Sequence, residues 1–342
     1  MDHRLALLAA ASLAAACAHG EVRRVGTHLP GDPAWPRGGE RRIAWVGEIR
    51  GPENLGIERG FFSRVWDFVS GREELDGLYR PYGVALDAAG RLAVADPGRR
   101  TVHLYDPAGG SALRLKGTAE APLVYPVAVA FLGRTLLVAD AEAGAVRGYD
   151  ESGNPVPIPV VLPALTRPSG LAVDERRGRL FVSDTAAHVV HVLPFGEGGQ
   201  PRVLGRRGEA PGQFNSPTHL ALDGEGRLAV CDALNFRVQL FDADLKHQGG
   251  FGQNGDGLGD LSRPKGIVID KEGVVFVLDG YFDVIQAFQP DGTLLGVMGG
   301  SGVAPGRLWL AGGMALDARG RLYVADTFNA RIQVFDLDAR AP

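Results

Sequence analysis

Gly313-Met-Ala-Leu-Asp317, Ala318-Arg-Gly320, Arg321-Leu-Tyr-Val-Ala-Asp326, Thr327-Phe-Asn-Ala330 and Arg331-Ile-Gln-Val-Phe335 run consecutively, and this stretch decides the fold. It holds an apolar strand ending in Asp, an Asp-x-x-Gly turn, a second apolar strand ending in Asp, and a third strand. Asp favours a turn start and Gly accepts positive φ, which is hairpin chemistry. The second strand is apolar on both of its alternating faces, as in a sheet covered on both sides. Working outward, its ending recurs as Leu92–Asp96, Leu136–Asp140, Leu180–Asp184, Leu228–Asp232 and Val275–Asp279. The six terminal aspartates stand 44, 44, 48, 47 and 47 residues apart. A fixed period of this size marks stacked supersecondary units. Small antiparallel sheets buried on both faces predict the blades of a β-propeller.

The last unit stops after its third strand, because few residues follow Asp336. Near the start, Arg42-Ile-Ala-Trp-Val-Gly-Glu-Ile49 is a strand with no unit of its own. It is expected to complete the last blade and close the ring, which removes exposed strand edges. The expectation is an all-β, six-bladed propeller over residues 42–342, with repeats over 80–342. The second unit departs most, since Tyr125–Phe131 lacks the turn Asp and the leading Gly. Residues 57–70 stand outside the period. Ile57, Phe61, Phe62, Val65, Trp66, Phe68 and Val69 share one side of a helical wheel, predicting one extra amphipathic helix. It is expected to pack on the propeller, to meet a partner protein, or to lie at a lipid interface.

The chain has 342 residues, 45% hydrophobic and 22% charged, enough for a large core. The net charge of −4 is interspersed along the chain. No basic stripe marks a nucleic-acid surface, so no nucleic-acid partner is expected. Met1–Ala16 has a short polar start and a Leu/Ala run of about a dozen residues, below the roughly 20 that span a bilayer. It reads as a signal peptide. Leu13-Ala-Ala-Ala-Cys17 resembles a bacterial lipobox, which implies acylation of Cys17, a tether to the membrane and a linker over 17–41. Leu is one place further from the Cys than usual, and Asp2 dilutes the basic start. A secreted protein and an uncleaved cytosolic start are the alternatives. The other cysteine, Cys231, occupies a slot held elsewhere by Ala95, Ala139, Ser183, Leu278 and Ala325, as a small buried residue would. With Cys17 lipidated, it has no disulfide partner.

Arg80-Pro-Tyr-Gly-Val-Ala-Leu-Asp87 with Val94-Ala-Asp96, and Gly313–Phe335, resemble NHL repeats. The copies at 167–184, 216–241 and 263–288 agree. The resemblance implies a six-bladed propeller used as a binding platform for proteins or RNA, more rarely as an enzyme. The whole layout resembles bacterial six-bladed propeller lipoproteins, whose biochemical role is generally unassigned.

Several motifs invite a chemical reading and fail it. Gly250-Phe-Gly-Gln-Asn-Gly255 has dinucleotide spacing but runs into Arg263-Pro264 rather than a helix. Asp256–Asp260 lacks a Ca²⁺ ligand ladder. The six strand-end aspartates are expected to bond the turn after them. His188 and His191 align with Ala330 and Gln333 on a third strand, facing opposite sides. His219 differs: it replaces the leading Gly83, Gly170, Gly266 and Gly313 and should sit at the channel mouth. One His does not make a catalytic zinc site.

First strands begin, and second-to-third turns lie, on one face of a propeller. That face gathers the positions that vary among units, and loops on rigid scaffolds carry function. Tyr82, Arg99, His219, Lys265, Tyr281, Phe282, Trp309 and Phe328 are the candidate ligand- or partner-binding residues, aromatic and Arg side chains being common interface anchors. No catalytic residue, metal ligand or cofactor is assigned. The expected function is a membrane-tethered scaffold that binds a protein partner. The alternatives are a lactonase- or lyase-type enzyme with a divalent cation on the axis, and a small-ligand site at the channel mouth for a glycan or cofactor.

Overall fold

The computed structural model describes residues 23–24, 43–57, 77–195 and 199–338. The signal peptide, Cys17, nearly all of the linker and, apart from Ile57, the amphipathic stretch 57–70 lie outside them. Helical structure among the described residues is confined to three 3-10 turns, Pro52–Leu55, Ala233–Asn235 and Thr327–Asn329.

Six antiparallel sheets form the blades, at residues 83–115, 126–156, 168–204, 217–251, 264–299 and 314–336. The first strands of neighbouring blades pack side by side, and the circuit closes between blades six and one. In blade six, Met314–Leu316, Arg321–Asp326 and Arg331–Asp336 pair in order, and Ala44–Ile49 adds as the fourth strand. Trp45 stands opposite Phe335 and Ile49 opposite Ile332. The N-terminal strand thus completes the last sheet, with Arg23–Arg24 outside it. Arg331 fastens the junction: buried, it bonds Asp326 in its own blade and Glu48 on the added strand, each at 2.7 Å.

The apolar second strands follow from this stacking. Leu92 and Val94 enter the core layer between blades six and one, whereas Ala93 and Ala95 enter that between one and two. Leu136 and Val138 likewise face blade one, while Leu137 and Ala139 face blade three. The core is six such layers, so a second strand has no solvent side on which a polar residue would be stable. The second unit, despite its missing Asp, forms a tight hairpin: Leu132 pairs with Thr135 across Gly133, whose φ is +55°. A two-residue loop with Gly first replaces the Asp-x-x-Gly turn.

The strand-end aspartates are wholly buried and do more than cap a turn. Asp96 accepts the N–H groups of Tyr79 and Arg80, which lead into the first strand, and of Arg99 in the following turn. Asp140 and Asp184 repeat the pattern. Each carboxylate therefore ties the two loop sets to one face, called the top face below.

Candidate functional site at the channel mouth

Three consecutive positions near the start of each first strand form ring-shaped levels beneath the top face, the outermost of which reaches the axial void only at Val127. The outermost is Tyr82, Val127, Ser169, Thr218, Lys265 and Gly312, and below it lie Gly83, Ala128, Gly170, His219, Gly266 and Gly313. Val84, Val129, Leu171, Leu220, Ile267 and Met314 form an apolar floor. In blades two to five the proline before these rings faces the buried Asp, and the register then shifts. Such bulges re-aim side chains. The middle ring is mostly glycine because the blades approach closely: a Cβ on Gly313 would stand 2.8 Å from the Tyr82 carbonyl oxygen. Only His219 projects a large side chain into this layer, beside an axial void of about 50 Å³.

Tyr82, His219 and Lys265, from blades one, four and five, converge here. The rings of Tyr82 and His219 lie 5.8 Å apart. Lys265 Nζ sits 5.6 Å from the centre of the Tyr82 ring, within cation–π range. Burial, helped by Lys265, lowers the His219 pKa to about 4, so the imidazole is neutral near pH 7. Burial pushes the Tyr82 hydroxyl up to about 12. Burial and Arg263 lower Lys265, while Asp283 and Asp279 oppose them. Lys265 reaches the mouth past Gly280, where a Cβ would stand 2.8 Å from its Cδ and 3.0 Å from its Cε. The other blades place Pro97, Ala141, Thr185, Ala233 and Thr327 in that slot. Sequence reading missed Gly280, although its departure from the repeat was the signal.

Further out, Trp309 and Phe328 pack at 5.8 Å. Arg80 lies over both Phe328 and Tyr79, and Arg99 over Tyr79. Tyr79, Trp309 and Phe328 are 49%, 47% and 44% exposed. This places Trp309 in the register of Tyr79, since its N–H also binds the buried Asp of its blade; the blade-six equivalent of Tyr82 is Gly312. Sequence reading grouped Trp309 with Tyr82 and overlooked Tyr79 and Arg80. Tyr281 and Phe282 form a separate edge-on pair at 4.9 Å, with Tyr281 68% exposed. The candidates thus resolve into a mouth (Tyr82, His219, Lys265), a rim patch (Arg99, Trp309, Phe328 with Tyr79 and Arg80) and the blade-five pair.

The remaining motifs are structural. His188 is not on a strand but in the turn before one, at φ +59°, its Nδ1 accepting the Ser216 N–H at 3.0 Å. His191 is on the third strand, 3.9 Å from Asp184. Cys231 is more than a small apolar filler: its thiol contacts the Lys265 carbonyl across the blade boundary at 2.9 Å. Burial raises its pKa well above the usual thiol value, which suppresses the reactive thiolate. Asp260 accepts from Gln253 and the Gly257 N–H, closing its own loop. The lining of the axial void provides one imidazole and no carboxylate, a donor set that does not fit a divalent cation. Among the described residues no three His, Cys, Asp or Glu side chains converge, and no helix is long and apolar enough to cross a membrane.

The NHL repeat family pattern matches residues 308–335, the closing blade. No curated protein matches the chain. Among solved structures, a gluconolactonase from Xanthomonas campestris is 19% identical, covers 93% of this chain and all of its own, and superposes with a TM-score of 0.58. Virginiamycin B lyase from Staphylococcus aureus is 12% identical over 75% of this chain and 95% of its own, TM-score 0.55. An auxiliary nutrient binding protein from Bacteroides thetaiotaomicron is 12% identical over 77% and 71%, TM-score 0.60. At such identities the likeness is one of fold, which hosts many unrelated functions.

Proposed function

We propose that this six-bladed β-propeller, which carries an NHL repeat, is a non-catalytic scaffold that binds a protein partner through its top face. A lipid on Cys17 would hold it at the membrane on the periplasmic or outer-membrane side. The observation that carries the reading is the rim patch. Tyr79, Arg80, Arg99, Trp309 and Phe328 form one contiguous aromatic and cationic surface across the seam of blades six and one. Partly exposed aromatics interleaved with Arg are the side chains that dominate binding energy at protein interfaces. Rigid blades beneath them keep the ordering cost of association low.

The test is site-specific photo-cross-linking of the full chain in its native membranes. A probe at Phe328 should give a discrete protein adduct that disappears with Arg80→Ala/Trp309→Ala, and a probe at Arg319, in a first-to-second-strand turn, should not. Equal adducts from both positions, or none from Phe328, would defeat the reading. For the tether, Cys17→Ser should move the protein from the membrane to the soluble fraction, and unchanged membrane association would rule the lipid out.

The enzymatic alternative draws on the fold shared with a gluconolactonase and a lyase, and on His219 at the axis. Turnover of a lactone or of virginiamycin B by the purified chain, lost in His219→Ala, would favour it over the scaffold.

A further inference from the structure

Unpartnered polar atoms gather at the channel mouth. Thr218 Oγ1 and both ring nitrogens of His219 are shut off from solvent without a hydrogen-bond partner. Buried polar groups left unpaired cost about 1–3 kcal/mol each and are rare, so a cluster of them points to a missing partner. Lys265 adds a half-buried ammonium that has no hydrogen-bond partner among the described residues. Its nearest acids are engaged: Asp279 accepts the N–H groups of Ser262, Arg263 and Tyr281. Asp283 accepts from Ser301 Oγ and the Leu310 N–H. The exposed Arg167 and Arg263 are close enough to act electrostatically on Tyr82, so cationic groups flank the mouth, with the engaged Asp279 and Asp283 near the lysine.

We infer that the channel mouth binds a single carboxylate group, held by Lys265 with Tyr82, Thr218 and His219 around it. An anion is the species that an ammonium without a hydrogen-bond partner attracts, with Arg263 adding to its positive field, and charge-assisted hydrogen bonds are the strong ones. Size selects among anions. Of these four residues only His219 lines the axial void beneath the mouth; that void is about 50 Å³, and a water needs about 10–15 Å³ of such space, so it admits a group of a few heavy atoms rather than a nucleotide. Gly280 supports the same reading, because its missing side chain is what allows the Lys265 stem to reach over the mouth. The carboxylate belongs either to a free small acid or to an acidic side chain of a bound protein. The site does not depend on the rim patch, so the cross-linking result leaves it untouched.

Calorimetric titration of the full chain at low chloride tests it with three probes: succinate, an Asp-containing hexapeptide, and succinamide as the uncharged control. Succinate, the peptide or both should bind one to one and succinamide should not. Binding of succinate identifies a free acid as sufficient, and binding of the peptide alone assigns the carboxylate to a protein. Lys265→Met should weaken binding tenfold or more. Gly280→Ala, which keeps every charge but displaces the lysine stem, should also weaken it, with the thermal melt confirming that both variants fold. Arg202→Met, on the exposed outer strand of blade three, should bind as the wild type does. Absence of saturable binding by both acids, or equal affinity in Lys265→Met, overturns the inference.

Discussion

Blades four and six hold their buried aspartates differently from blades one and three. Asp326 accepts from Asn329 Nδ2, from Arg331 Nε at 2.7 Å and from Gln333 Nε2 at 2.9 Å. Asp232 is held in the same way by Asn235, Arg237 and Gln239. The glutamine oxygen also accepts an N–H from the loop that leads into its blade, Gly306 in blade six and Gly212 in blade four. In blades one and three the same third-strand slot holds His103 and His191, each 3.9 Å from its Asp. A primary amide donates and accepts at once and does not titrate, whereas a neutral imidazole offers one donor and one acceptor in a fixed plane and does titrate. One backbone repeat thus accepts two locks, and the glutamine lock adds to the carboxylate a second, non-titrating link between the third strand and the incoming loop. The matched NHL segment, residues 308–335, spans a blade with the full glutamine lock.

The comparison breaks most decisively at the aspartates. Asp326→Ala removes one of the two carboxylates paired with the buried Arg331 and leaves the Trp309 N–H and the Asn329 and Gln333 amides without that acceptor, and should cost about 3–5 kcal/mol in a denaturant titration. Asp184→Ala should cost less, because its donors are backbone N–H groups and a distant imidazole. Equal losses would show that the side-chain network adds nothing. Next, Gln333→Leu leaves the Gly306 N–H and the Arg307 carbonyl without the amide and should cost about 1–3 kcal/mol.

The third test is pH. Burial, against the pull of Asp96, lowers the His103 pKa to about 4 from 6.5. Between those values the unfolded chain takes up the proton first, so the contribution of His103 is full above pH 6.5 and is lost as pH falls toward 4. At about 1.4 kcal/mol per unit, the drop from pH 6.5 to 5 is roughly 1–2 kcal/mol. His103→Gln, the residue of blades four to six, should flatten that part of the melting-temperature profile. His219, also held near 4, keeps its own share, and Asp184, lowered to about 2, loses its contribution only as pH falls below its ordinary 3.8. An unchanged profile in His103→Gln would mean that the two locks are equivalent. Last and smallest, Tyr281→Ala should move stability by no more than about 0.5 kcal/mol, as an exposed residue outside both locks does.

Much of the architecture was legible in the residues. The Leu-Tyr-Val-Ala-Asp ending and its five relatives announced the blades, and the unpaired stretch around Trp45 announced its place beside Phe335. The hairpin of the second unit was less legible, because Gly133 and Arg134 turn it in two residues without the usual Asp. At the site, Tyr82, His219 and Lys265 stood out as departures from the repeat. Their meeting was not legible, since they come from blades one, four and five. Tyr79 was overlooked because it stands just ahead of the repeat, and Arg80 because it recurs as Arg167 and Arg263 and so read as part of the repeat.

By itself the sequence determined the number of sheets, the course of each and the closure of the ring. Burial between blades demands apolar residues on both faces of every second strand, and that short apolar run is local and repeated. Only the tertiary structure decided that an ammonium, a phenol and an imidazole share one mouth while Trp309 stands apart at the rim. That outcome depends on bulges after the prolines and on how far each side chain reaches across the axis, and neither leaves a periodic trace in the chain.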